Sequence, residues 1–226
     1  MKAGIPLALN DSDRAIFQRM GIGPKWLARA KIRRVTDAEA RSVFGIQASA
    51  AADLSGIVFP YLHPNDGNRV TTRLRRDHPE QDAKGKPRQK YLSPWGDARH
   101  LYFPPGAASL LADASCPVVI VEAEKSVLAL AALAERVDRK LLPIGTGGCW
   151  SWRGQVGIEP DASGQRVPVK GVLPDFDLLQ WTARDVVICF DANAASNPKV
   201  GQARQMLAGE LEARGARVRI ANLPQL

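Results

Sequence analysis

Cysteine is the first shortage: 226 residues carry three, Cys116, Cys149 and Cys189. The number is odd, no two are close in sequence, and two lie in apolar runs where a thiol behaves as a small hydrophobe. A disulfide framework is excluded, and a reduced, cytoplasmic protein is expected. His63, His78 and His100 are scattered, and with lone cysteines they offer no zinc-ligand spacing. No apolar run approaches the roughly 18 residues of a membrane span. The opening "MKAGIPLALNDSD" has too short an apolar patch for a secretory signal, so no membrane partner is expected. Acidic residues are also short: 23 Asp and Glu face 31 Lys and Arg, for a net charge of +8 and a pI near 9.7. Such a surface attracts polyanions, nucleic acid before acidic membrane.

What is present organises most clearly in the second half. "CPVVIVE" (116–122) is a continuous β-branched apolar run, the pattern of a strand covered on both faces. "KSVLALAALAERV" carries apolar residues at helical spacing, and "KLLPIGTGG" reads as a second strand breaking at glycines. After an irregular stretch, "DVVICFDAN" (185–193) gives a third strand. "PKVGQARQMLAGELEARG" is a helix closed by Gly215, and "ARVRIANLP" is a fourth strand. Two strand–helix–strand units imply an α/β fold, a parallel sheet flanked by helices.

The first half predicts a smaller α+β region. Three short helices open it, in "DSDRAIFQRMG", "GPKWLARAKI" and "TDAEARSVFGI". A hairpin through "NDGN" follows, then a polar Pro- and Gly-rich loop, expected to be mobile until bound. "RHLYFPP" reads as one more short strand. The boundary falls near residue 110, with residues 1–110 as a basic nucleic-acid-binding region and 111–226 as the α/β domain.

Ligands of parallel sheets bind outside the carboxyl ends of the strands. Glu122, Gly145 to Gly148 and Asp191 all fall at that edge, although 69 positions separate the two acids. Two carboxylates there can hold Mg2+, or Mn2+ in its place, for phosphoryl transfer. The spacing leaves a second reading open, in which Glu122 faces a helix N-terminus and Asp191 caps a turn.

"GTGGCWSWRG" joins the same edge. Its backbone can form an anion nest, giving Lys125, Gly145, Gly147, Gly148 and Arg153 as a phosphate-binding set, with a tryptophan to stack a base if one is exposed. A tight turn followed by core tryptophans fits equally. Between Arg69 and Arg99, nine basic residues face four acids. Arg73, Arg75, Arg76, Lys86, Arg88 and Lys90, interleaved with Tyr91 and Trp95, are the candidate nucleic-acid contacts. A solvated charged hairpin is the alternative. A smaller cluster, Lys25, Arg29, Lys31, Arg33 and Arg34, lies in the helical part.

"VEAEKSVLALAAL", "IGTGGCW" and "VVICFDAN" together resemble the toprim domain shared by bacterial primases, topoisomerases and some nucleases. With "GTGGCWSWRG", "LPDFDLLQW" and "CFDANAASNPKVGQA", residues 116–224 are similar to a family of toprim-like proteins encoded with plasmid, phage and integrative-element replication genes. The first half resembles the segment that precedes the core in those proteins. The resemblance implies catalytic roles for Glu122 and Asp191, and Glu122, Asp191 and Asn193 as the metal set. Asn193 stands where the pattern has a second acid, which lowers the expected metal affinity unless Glu124, or Asp175 and Asp177, supplies the charge. The implied function is primase-like, magnesium-dependent phosphoryl transfer on single-stranded DNA in mobile-element replication, beside a helicase or initiator. A catalytically degenerate DNA-binding module and a toprim nuclease are the alternatives.

Overall fold

The second half builds its sheet from the four apolar runs. A computed structural model describes residues 7–191 and 197–224. β5 (Val118–Val121), β6 (Leu142–Gly145), β9 (Asp185–Ile188) and β10 (Arg217–Ile220) form a parallel sheet in the order β10-β9-β5-β6. Registers such as Ile120↔Ile144 and Ile120↔Ile188 put Val118, Ile120, Leu142, Ile144, Val186 and Ile188 on one face. There they share a core with Val200, Leu207 and Leu211 of α6 (Pro198–Ala213). α5 (Glu124–Arg136) links β5 outward to β6, while α6 links β9 outward to β10 in the opposite direction. Right-handed crossovers running opposite ways lie on opposite faces. In agreement, Val127 of α5 meets Gly145, whose pleat is opposite to that of Ile144. The connections therefore diverge between the neighbouring strands β5 and β9, the switch point where such sheets open a crevice. Gly215, with φ +88, closes α6 as expected.

The chain divides into two compact units, residues up to 63 with 68–97, and residues 64–67 with 98 onward. The division lies before the expected boundary at 110, because Leu101, Phe103 and Ala107 join the core of the second unit and Tyr102 bridges to Gly145. The stretch after β6 is not irregular either. β7 (Arg153–Pro160) and β8 (Arg166–Val172) form an antiparallel ribbon, its turn fastened by the Asp161 carboxylate, which accepts from the amides of Ser163 and Gln165.

In the first unit, β1 (Arg33–Val35), β2 (Gly56–Leu62), β3 (Arg69–Arg76) and β4 (Tyr91–Leu92) make an antiparallel sheet in that order. α1 (Asp11–Arg19) is opened by a reciprocal Asn10–Asp13 capping box, and α3 (Asp37–Ser42) by Thr36–Glu39. α2 (Pro24–Arg29) completes the helices of this unit, and α4 (Ala108–Leu111) is a single turn in the second. The polar loop expected to be mobile is folded. The Asp82 carboxylate accepts from the amides of Lys84 and Lys86 at 2.8 and 2.9 Å, and Tyr91–Leu92 then adds β4. No helix among the described residues is long and apolar enough to cross a membrane.

Candidate functional site

The tips of β5, β6 and β9 are laced together by backbone. The Cys189 amide donates to the Ile120 carbonyl at 2.8 Å, and the Thr146 and Gly147 amides donate to the carbonyls of Val121 and Glu122 at 3.0 and 2.8 Å. The chain leaves β5 at Glu122, at the strand end where the two connections diverge. Its carboxylate accepts from the Asp191 amide at 3.2 Å. The two acids thus meet at one rim, with Asp191 exposed and Glu122 partly buried.

Burial lifts the Glu122 carboxyl above the ordinary glutamate range; the Asp191 amide opposes the rise, the Asp191 charge adds to it, and the Cys149 amide opposes it again. A carboxyl so placed is drawn towards the range where an acid–base group can both hold and release a proton. Burial also raises the thiols of Cys149 and Cys189, with the negative charges of Glu122 and Asp191 respectively adding to the effect. They are protonated neighbours and poor nucleophiles.

Two carboxylate-bearing residues suit a hard cation that keeps most of its water. Asn193 lies outside the described residues. Among the described residues no group of three or more His, Cys, Asp or Glu is placed to hold a metal ion. The other acids considered are engaged elsewhere. Asp175 accepts from the Leu101 amide at 2.6 Å and meets His100 Nδ1 at 3.1 Å. Asp177 pairs with Arg214 at 2.6 Å. Glu124 is buried, its charge adding to the burial that raises the Tyr102 hydroxyl.

The glycines divide by role. Gly145 is a packing residue: its amide and carbonyl are both taken by Tyr102, at 2.9 and 2.8 Å, so it cannot bind phosphate as expected. A Cβ there would stand 3.0 Å from Val127 Cγ2 and 3.2 Å from Tyr102 Cβ. Gly145→Ala should therefore cost about 1–3 kcal/mol, checked by urea unfolding; a cost below about 0.5 kcal/mol would mean that the contact yields freely. The Gly147 amide is likewise committed, to Glu122. Gly147 and Gly148 have φ of +75 and +143, a backbone path that side chains disfavour. Lys125 lies in the first turn of α5, at the same strand end. Arg153 opens β7 with its guanidinium 5.5 Å from the centre of the Trp152 ring. Trp152 is a core residue and Trp150 packs partly buried against that core, so neither is the exposed platform considered from sequence.

In the first unit, β3 and β4 bring part of the basic set together. Arg75 pairs in register with Tyr91, and the Arg73 guanidinium lies 4.5 Å from the centre of the Tyr91 ring. Arg73, Arg75 and Tyr91 share one face, while Trp95 is 79% exposed. Lys86, Arg88 and Lys90 are exposed on the folded loop. Arg76 is the exception. Its buried guanidinium grips the Glu80 carboxylate through two bonds of 2.7 and 2.8 Å and donates to the Asp53 carbonyl at 2.8 Å. It holds the Glu80 carboxyl down to about 2, and its side chain is fully buried and out of reach of a phosphate, so it is a structural clamp.

A family model described as a domain of unknown function, DUF3854, matches residues 108–226, more than half of the chain, and the chain belongs to that family. No curated protein and no solved structure matches it.

Proposed function

We propose that the protein is a toprim-like, primase-type enzyme that joins nucleotides on single-stranded DNA with Mg2+, in the replication of a mobile element and beside a helicase or initiator. The observation that carries this reading is the Glu122 carboxylate meeting the backbone of Asp191 at the switch point of a parallel sheet. In the reading, Glu122 and Asp191 hold the cation, with Mn2+ able to replace Mg2+. A cation there would neutralise charge on a phosphate and orient the reacting oxygen. Glu122, lifted by burial, is the group suited to move a proton. Lys125, Gly148 and Arg153 are the remaining candidates for the phosphates, and the cationic, aromatic-bearing face of the first unit is suited to the template. In this reading the protein acts in the cytoplasm, a site that the three free cysteines support.

Extension of primers on a single-stranded template, dependent on Mg2+ and abolished by chelator, is the expected result. No product under any divalent ion, with template still bound in chelator, would establish a second reading. In that reading the chain is a binding-only module serving a helicase or initiator, and the observation favouring it is that Asp175 and Asp177 are committed to other partners. Degradation of labelled DNA would mark a nuclease instead.

A further inference from the structure

A groove of about 400 Å³ on the first unit is lined by none of the residues proposed above for the cation, the phosphates or the template. Pro60 and Leu62 of β2 and Phe44 beyond α3 form its apolar wall; Lys31, Arg33 and Arg69 form its rim. Two stretches of chain, residues 31–33 and the start of β3, therefore send three cations to one opening. The guanidinium carbons of Arg33 and Arg69 lie 5.2 and 4.9 Å from the centre of the same Phe44 ring. A ring that holds two guanidinium planes limits their rotamers, so less freedom is lost when they grip an anion. Arg33 also pairs with Glu39 at 3.0 Å. Among the described residues, Lys31 and Arg69 have no hydrogen-bonded acid, so the rim holds an uncompensated positive charge.

Lys31 occupies this rim against local preference. It follows the last turn of α2 with φ +54. Its amide donates to the Ala28 carbonyl at 3.0 Å, and the Ile32 amide donates to the Leu27 carbonyl at 3.1 Å. This pair of bonds is the Schellman closure, whose left-handed position favours glycine. A lysine there is disfavoured by its own backbone, yet it supplies a cation to the groove.

We propose that this groove holds a nucleotide unit of single-stranded nucleic acid, with the phosphate on Lys31, Arg33 and Arg69 and the sugar or base edge against Pro60 and Leu62. Charge complementarity selects a polyanion. The apolar wall selects a strand whose bases are turned outward over one whose bases are stacked inside a duplex. The proposal rests on the nucleic-acid part of the reading above and is independent of Glu122 and Asp191.

Lys31→Gly separates binding from folding, because glycine suits the left-handed position. Its melting temperature should be unchanged or higher. Binding of a fluorescent 12-nucleotide strand by the full chain, followed by anisotropy in chelator over a salt series, should weaken in Lys31→Gly and in Arg69→Gln. The double variant should lose about tenfold, and each substitution should reduce the slope of log K against log salt by about 0.7. Wild-type affinity and slope in both variants would overturn the groove while leaving the nucleic-acid reading intact. Failure of the wild-type chain to bind any strand would overturn both. Equal affinity for a duplex, for a nucleoside monophosphate or for a polyglutamate peptide would overturn the assignment to a strand.

Discussion

Replacing Glu122 with glutamine should reduce magnesium-dependent primer synthesis by about 10²–10⁴-fold, the usual contribution of a positioned acid–base group, while making the folded chain more stable at neutral pH. The two effects share one cause. Burial raises the folded-state pKa of Glu122 above its ordinary value, so the native state holds the proton more tightly than the unfolded chain does. The stability this provides is complete below the unfolded value and is lost as pH rises through the raised folded value. Above the unfolded value the buried carboxyl is therefore a net cost. Glutamine removes that charge but keeps an oxygen to accept from the Asp191 amide, so the rim should retain its shape. The melting temperatures of the two proteins should agree in acid and separate as the pH rises towards 7, with the glutamine variant higher. Undiminished synthesis by the variant would remove Glu122 from the mechanism, and a lower melting temperature at pH 7 would contradict the burial argument.

The largest loss of stability should follow from Arg184→Met. Arg184 precedes β9 and is fully buried. Its Nε donates to the Cys116 carbonyl at 2.8 Å, Nη1 to Leu111 and Gln180 at 2.8 and 3.2 Å, and Nη2 to Leu110 at 2.7 Å. One cation thus satisfies four carbonyls and fastens the segment before β5 to the start of β9. Methionine fills similar volume but offers no donor. Charge-assisted bonds of about 1.5–3 kcal/mol each are lost, partly offset by no longer burying a guanidinium, for a net cost of about 3–5 kcal/mol. Urea unfolding should show the loss in the second unit, and a change below about 1 kcal/mol would contradict it. The clamp sits at the opposite strand end from Glu122, so molecules that remain folded should retain their activity.

The strands that carry the site were legible because their chemistry is local. "VVIV" and "DVVI" are short β-branched runs, and each passes directly into an acid or towards one. α6 and its closing Gly215 were legible for the same reason. β1 was not: it has three residues, two of them arginines, and reads as part of a basic cluster. The ribbon of β7 and β8 was hidden by exposure, since Val156 and Ile158 alternate with Gly154 and Gly157 and bury little. Arg76 looked like its neighbours because what withdraws it from the surface, Glu80 and the Asp53 carbonyl, is a matter of tertiary approach. Gly145 looked like part of an anion nest because nothing local announces that Tyr102 will occupy its amide. The contact between Glu122 and the Asp191 amide depends on β5 and β9 being neighbours, which strand order alone decides.

Anomalous diffraction from crystals of the whole chain soaked in Mn2+ tests the central claim most directly. A single peak in contact with both the Glu122 and Asp191 carboxylates, lost in Glu122→Gln, is the predicted result. Manganese held only by other side chains, or no peak at millimolar metal while other surface acids are occupied, would contradict it.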